Sequence, residues 1–307
     1  MNLLGRSLLD IPDLTHDEIL FLLDETQKLK AKSGKESPEL SSSSGKSLAL
    51  IFFEPSTRTR SSFEMAAFRL GLRVLNLDAT SSSATKGETI YDTARNVEAL
   101  RPHGMVIRHG GSGIPLQISK LINVPVINAG DGFHAHPTQA LLDAFTIREK
   151  FSKLQGLKVL IVGDISHSRV ARSGFQIFKM LGIKVTVCGP PTLIPPFATE
   201  LGVEVKYDLD EALPLADVVM VLRMQIERQN SFQIPSLKEY TARFGITTER
   251  LDKIKKDSLI MHPGPVNRGI EMMSAVLRDP RCRVMDQVQN GVLMRTVLLR
   301  EILGVGL

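Results

Sequence analysis

Short apolar runs with no polar interruption recur along this chain, at residues 48–53, 159–162 and 218–222. Runs of this length suit strands, and a strand apolar on both sides must be covered on both faces of its sheet. The covering elements are also legible. A helix-like stretch at 59–70 places Phe63, Ala66, Ala67 and Leu70 on one side, and others follow at 88–100, 138–150 and 169–181. Further strands are expected at 74–77, 105–108, 124–128, 184–187 and 258–261. Strands alternating with helices through short connections give parallel sheets with helices on both faces. An additional helix opens with Thr15 and Glu18 at capping-box spacing, ahead of Ile19, Leu22, Leu23 and Leu29. The serine-rich stretch 33–45 reads as a surface loop, and 286–303 as one docking helix. With 307 residues, about twice a usual domain, and a polar, hinge-like stretch at 149–156, the chain divides in two. The expected fold class is α/β: two domains, each a parallel sheet flanked by helices, over residues 1–148 and 149–285, with 286–307 as a closing helix. No repeat of fixed period runs through it.

Composition removes several classes. At 43% hydrophobic and 23% charged residues the chain is neither disordered nor fibrous. No apolar run approaches the roughly 18 residues of a membrane-spanning helix, and residues 1–10 lack the apolar core of a secretion signal. Cys188 and Cys282 are the only two cysteines, too few for a disulfide scaffold or a four-thiolate metal site. A reducing cytoplasm is the expected location. Lys and Arg exceed Asp and Glu by 38 − 33, giving +5, while aromatic residues are 5% with no Trp. Nucleic-acid surfaces draw on clustered basic residues with stacking aromatics. The longest cluster here, three lysines within 253–256, reads as a solvated helix end. A mild basic excess suits small anionic substrates equally well.

Ligands of such sheets bind beyond the carboxyl ends of the strands. Nearly every strand end here carries a donor, and few carry a carboxylate. After the first buried run come Ser56, Thr57, Arg58, Thr59 and Arg60, opening a helix. Outward N–H groups, the positive end of the helix dipole, three hydroxyls and two guanidinium forks all favour an anion. Helix capping accounts for one hydroxyl and leaves the rest unexplained. The glycine-rich segment and Gly-Lys-Ser/Thr ending of a Walker A loop are missing. His134 and His136, with Asp131 upstream, admit two readings. They form a metal pair of the kind found in hydrolases, or one of the two donates to a substrate carbonyl, with Gln139 one helical turn on from His136.

In the second half, Gly163 and Asp164 precede Arg169 where a dinucleotide fingerprint would sit, but Gly-x-Gly-x-x-Gly is absent. Arg169, together with Arg223 and Gln225 after the run 218–222, fits carboxylate or phosphate. The polar loop 81–88 carries Lys86 and has no function visible on local grounds. Nucleophile elbows, Cys–His pairs and paired carboxylates are missing at the strand ends. The chemistry expected is transfer of an already activated group by positioned cationic donors.

These motifs together resemble the aspartate/ornithine carbamoyltransferase family over essentially the whole chain. They are the 56–60 segment, Lys86-Gly87-Glu88, Arg108-His109, His136-Pro137-Thr138-Gln139, Arg169, Arg223-Met224-Gln225 and His262-Pro263-Gly264-Pro265. Members acting on ornithine carry a His-Cys-Leu-Pro segment and a Ser-Met-Gly loop. Here His262-Pro263-Gly264-Pro265-Val266-Asn267-Arg268-Gly269 and the Arg223/Gln225 pair resemble the aspartate branch instead. The resemblance implies a first domain for carbamoyl phosphate, a second for aspartate, and a final helix returning to the first. Ser56, Thr57, Arg58, Thr59 and Arg108 would hold the phosphate, and Thr59, Arg108 and His136 would polarise the carbamoyl carbonyl. Gln139 and the carbonyls of Gly264 and Pro265 would accept from the carbamoyl amide. Arg169, Arg223, Gln225 and Lys86 would hold aspartate, with Lys86 and Ser82 lent by a neighbouring subunit of a homotrimer. No cofactor or metal is implied. Dihydroorotase-like or regulatory chains are the implied larger partners, and ornithine is the alternative acceptor.

Overall fold

The computed structural model describes residues 3–33, 44–78, 88–225 and 233–306. The serine-rich stretch 33–45 falls largely outside these residues, as do Ser82 and Lys86. The described residues form two compact units, Met1–Leu142 with Val288–Leu307, and Asp143–Gln287. Among them no helix is long and apolar enough to cross a membrane.

The first unit begins with helix α1 (His16–Ser33) and strand β1 (Ser47–Phe52). It continues α2 (Thr57–Arg69), β2 (Arg73–Asp78), α3 (Ile90–Ala99), β3 (Gly104–His109), α4 (Ile114–Ser119), β4 (Val126–Asp131) and the start of α5 (Pro137–Lys150), whose residues from Asp143 onward count with the second unit. Its four strands lie in the order β2-β1-β3-β4, all parallel. The apolar run that signalled β1 is buried nearly throughout. Ala49, Ile51, Met105 and Ile107 pack with Ala94 and Val97 of α3 and Ile118 of α4. On α2 the expected face, Phe63, Ala66, Ala67 and Leu70, is buried. The capping box at α1 is formed: Thr15 N–H donates to Glu18 Oε2 at 2.9 Å and Glu18 N–H to Thr15 Oγ1 at 3.2 Å.

The second unit continues with β5 (Lys158–Val162), α6 (Arg169–Met180), β6 (Lys184–Cys188), β7 (Glu204–Lys206), α7 (Leu209–Ala212), β8 (Val218–Val221), α8 (Leu237–Phe244), α9 (Thr248–Leu251) and β9 (Leu259–Met261), after which α10 (Val284–Leu303) begins. Five parallel strands run β7-β6-β5-β8-β9. The order places β5 and β8 centrally, so their runs are buried on both faces. Leu160, Val162, Val219 and Val221 meet Tyr240 and Phe244 of α8 in one core.

Within the first unit, residues 288–303 of α10 fasten to α1. Lys30 Nζ donates to Asn290 Oδ1 at 2.9 Å, and Arg300 to Glu25 at 2.7 Å. Residues 288–303 of the helix thus pack within the first unit.

Cys188 is fully buried at the end of β6. Burial, with Asp208 nearby, pushes its thiol up to about 12, and burial raises Cys282 as well. Since the thiolate is the reactive form, an aromatic disulfide reagent at pH 8 is expected to label the folded chain far more slowly than the unfolded one. Prompt labelling of Cys188 in the folded protein would contradict this packing.

Candidate active site

In the first unit, the carboxyl end of β1 leads through Pro55 into α2. Ser56 takes the N-cap position with non-helical dihedrals (φ −160°, ψ 89°), yet its side chain makes no capping bond. Its hydroxyl is therefore not consumed by the helix it starts. Thr57 and Arg58 are exposed on the first turn and Thr59 is buried. With no acidic residue in that turn, helix dipole, N–H groups and guanidinium all present positive charge. Arg60 behaves differently: its guanidinium lies 5.0 Å over the Phe52 ring, a cation–π contact that turns it onto β1. Of the two arginines read as anion ligands, Arg58 alone is at the exposed first turn.

Arg108 sits opposite Phe52 in the β1/β3 register, so it shares the strand end that launches α2. Its Nε lies 3.2 Å from Glu54 Oε2, and one terminal nitrogen donates to the Ala129 carbonyl at 3.2 Å. These two contacts orient the fork of a side chain that is otherwise nearly buried.

Beyond β4, Asp131 organises the turn that carries His136. Its carboxylate accepts from Gly113 N–H at 2.6 Å, Asn128 Nδ2 at 2.8 Å and Ala135 N–H at 3.0 Å. It also lies 3.1 Å from His134 Nδ1. Gly132 has φ +43°, and a Cβ there would come 2.3 Å from Ser112 Oγ and 2.7 Å from Ser112 N, so the turn needs glycine. His136 and Gln139, both buried, then open α5.

This geometry separates the two histidines that the sequence left together. His134 serves the Asp131 turn, while His136 and Gln139 occupy the strand end. Replacing Asp131 with alanine would leave several buried donors without acceptors, at about 1–3 kcal/mol each. The expected result is a lower urea midpoint together with reduced turnover. An unchanged midpoint would show that the turn holds its shape without the carboxylate.

Arg295 is a residue the sequence reading missed. It is buried, donates to Ser62 Oγ of α2 at 2.8 Å and to Thr138 Oγ1 of α5 at 3.2 Å, and lies 5.1 Å over the Phe63 ring. One guanidinium thereby fixes the first turn of α5 against α2. An arginine in an apolar helical stretch was the available signal, but its partners lie 233 and 157 residues away.

In the second unit, β5 leads directly into Gly163, whose φ of +125° disfavours any residue with a side chain; a Cβ would also come 3.0 Å from the buried Tyr240 hydroxyl. Asp164 is fully buried and accepts from His167 N–H at 3.2 Å, with His167 Nδ1 2.8 Å from the same oxygen. Ser168 caps α6 through Ala171 N–H, which sets the buried Arg169 at its first position. Arg223 and Gln225 follow β8, and Gln225 Nε2 donates to the His167 carbonyl at 3.1 Å. That bond draws two strand ends together, so Arg169 and Arg223 belong to one rim. Gly264 and Pro265 follow β9 on the same sheet. Burial pushes the Tyr240 phenol well up, and the nearby Glu271 and Asp164 carboxylates add to this.

Every described residue expected at a site lies at or just beyond a strand's carboxyl end. Cations and donors dominate both sets. Such groups can bind anions and stabilise a developing oxyanion without a protein nucleophile.

Comparison with known proteins adds identity to this geometry. The carbamoyl-P binding domain of the aspartate/ornithine carbamoyltransferases matches residues 6–149, and the Asp/Orn binding domain of the same family matches 155–302. The aspartate carbamoyltransferase catalytic subunit of Myxococcus xanthus is 50% identical over 294 residues, 96% of this chain and 98% of its own. The corresponding subunit of Desulfitobacterium hafniense is 47% identical, over 98% of this chain and 96% of its own. Among solved structures, aspartate transcarbamoylase from Trypanosoma cruzi in complex with carbamoyl phosphate and aspartate superposes with a TM-score of 0.89 at 30% identity. That match covers 98% of this chain and 97% of the other. The ligand-free form of the same enzyme gives 0.84 at 27% identity, with the same coverage. The chain therefore belongs to the aspartate/ornithine carbamoyltransferase family.

Proposed function

We propose that this chain transfers the carbamoyl group of carbamoyl phosphate to the amine of L-aspartate, the committed step of de novo pyrimidine synthesis. The observation that carries the reading is the α2 start. Ser56 is free of a capping bond there, Arg58 is exposed beside it, and Arg108 lies on the adjoining strand end. A terminal phosphate group, such as that of an acyl phosphate, fits that arrangement. The relatives named above are aspartate enzymes, which favours aspartate over ornithine as acceptor.

In this reading Ser56, Thr57, Arg58, Thr59 and Arg108 take the phosphate. Thr59, Arg108 and His136 polarise the carbonyl, and Gln139 with the Gly264 and Pro265 carbonyls accepts from the carbamoyl amide. Arg169 and Arg223 pair with the two aspartate carboxylates, helped by Gln225. The amine forms the new C–N bond, the C–O bond to phosphate breaks, phosphate leaves with the bonding pair, and the amine gives up a proton. Donors already aimed at the carbonyl oxygen stabilise its developing charge without reorganisation at the moment of reaction.

Lys86 and Ser82 complete the aspartate site from an adjoining subunit, so the working form is a homotrimer in the cytoplasm. Association with dihydroorotase-like or regulatory chains is a further step of the same proposal. The deciding experiment supplies carbamoyl phosphate with L-aspartate or L-ornithine in parallel and identifies the product. N-carbamoyl-aspartate together with phosphate supports the reading. Citrulline would transfer the activity to the ornithine branch, and absence of both products would refute it for the isolated chain. Light scattering of the same preparation tests the trimer.

A further inference from the structure

Beneath the rim of the second unit, His262, Asn267 and Glu271 form a hydrogen-bonded cluster that no step of the proposed reaction uses. The His262 and Glu271 side chains are wholly buried, with His262 Nε2 3.2 Å from Glu271 Oε1. Gly264 N–H donates to His262 Nδ1 at 2.8 Å. Because Nδ1 is thereby an acceptor, the ring proton sits on Nε2 and points at the carboxylate. The same Glu271 oxygen accepts from Asn267 N–H at 2.6 Å, and Asn267 Nδ2 donates to the Met224 carbonyl at 3.0 Å. His262 N–H is held by Gln287 Oε1 at 2.9 Å.

The two ends of this chain of bonds are the turn bearing Gly264 and Pro265, and the backbone between Arg223 and Gln225. Both segments lie beyond the β8/β9 ladder, which ends at the Met220–Met261 pair, so no ladder bond joins them. A buried carboxylate whose donors come from one segment, and whose neighbour reaches the other, does. We propose that His262, Asn267 and Glu271 are positioning residues that hold the Gly264–Pro265 turn and the Arg223–Gln225 segment in a single arrangement. The inference rests on the carbamoyl-transfer reading, since the two segments matter only as holders of the carbamoyl amide and aspartate.

Glu271→Ala leaves the Asn267 N–H and His262 Nε2–H without their acceptor. It is expected to raise KM for both carbamoyl phosphate and aspartate by roughly tenfold or more, in keeping with a lost buried network. Glu271→Gln retains an oxygen acceptor and is expected to return both KM values to within a few-fold of the parent. Asn267→Ala cuts only the tie to Met224 and is expected to raise KM for aspartate several-fold, with kcat and KM for carbamoyl phosphate little changed. This last variant alters a partly exposed side chain, so it remains informative if Glu271→Ala fails to fold. Parental KM values in Asn267→Ala, or a Glu271→Gln enzyme as impaired as Glu271→Ala, would overturn the proposal. An unmodified enzyme that makes no carbamoyl-aspartate would instead overturn the reading on which it rests.

Discussion

Arg58→Ala is expected to lower kcat/KM for carbamoyl transfer roughly a thousandfold, with the unfolding midpoint close to that of the parent. The size follows from what is lost: a guanidinium fork on a doubly charged phosphate, at a helix start where dipole and hydroxyls already point the same way. The small stability effect follows from position, because Arg58 is exposed on the first turn of α2, and surface substitutions usually fall within about 0.5 kcal/mol. Arg58→Lys restores charge without the fork and should recover part of the loss. Steady-state kinetics with carbamoyl phosphate varied at saturating aspartate reads this directly. Near-parental activity in Arg58→Ala would remove the phosphate-binding role of the α2 turn.

His136→Ala should act on turnover more than on binding. A donor aimed at the carbonyl oxygen contributes most when that oxygen gains charge, so kcat is expected to fall on the order of a hundredfold or more. KM for aspartate should move little. His136 is buried at the step into α5, so the variant also loses some stability, and circular dichroism must accompany the rate measurement. A fall in kcat/KM arising wholly from KM would show that His136 only binds. The contrast with His134 sharpens the test: its ring is committed to Asp131, so His134→Ala is a stability variant in this reading.

Much of the architecture was legible because buried parallel strands announce themselves as unbroken apolar runs. The expected strands at 48–53, 159–162 and 218–222 became β1, β5 and β8 with ends displaced by a residue at most. The expected 124–128 became Val126–Asp131, because the strand continues past its apolar run through Ala129, Gly130 and Asp131. The short elements gave no signal. Helix α4 is six residues opened by Pro115 behind a left-handed Gly113, and β7 has three residues with no apolar run. Neither is long enough to express a period.

At the site, residue types at strand ends were readable and their commitments were not. Sequence placed Arg58 and Arg60 together, but one is at the exposed turn and the other stacks on Phe52. Apart from the family motif, residue types left His134 and His136 as equals, and the Asp131 carboxylate beside the His134 ring separates them. Arg295 was invisible as an actor, because its partners come from distant segments and only the folded chain brings them into reach.

The unit bearing the α2 turn is built from both ends of the numbering, residues 1–142 and 288–307. During synthesis, then, the helix that supplies Arg295, Asn290 and Arg300 to it emerges only after all of residues 143–287. At about 5–20 residues per second, that delay is on the order of ten seconds. The second unit, whose residues are contiguous, can close while the first still lacks the Arg295 bridge between Ser62 and Thr138. The nascent chain thus acquires its acceptor-side sheet before its phosphate-side turn is braced, so incomplete translation products would lack the brace altogether.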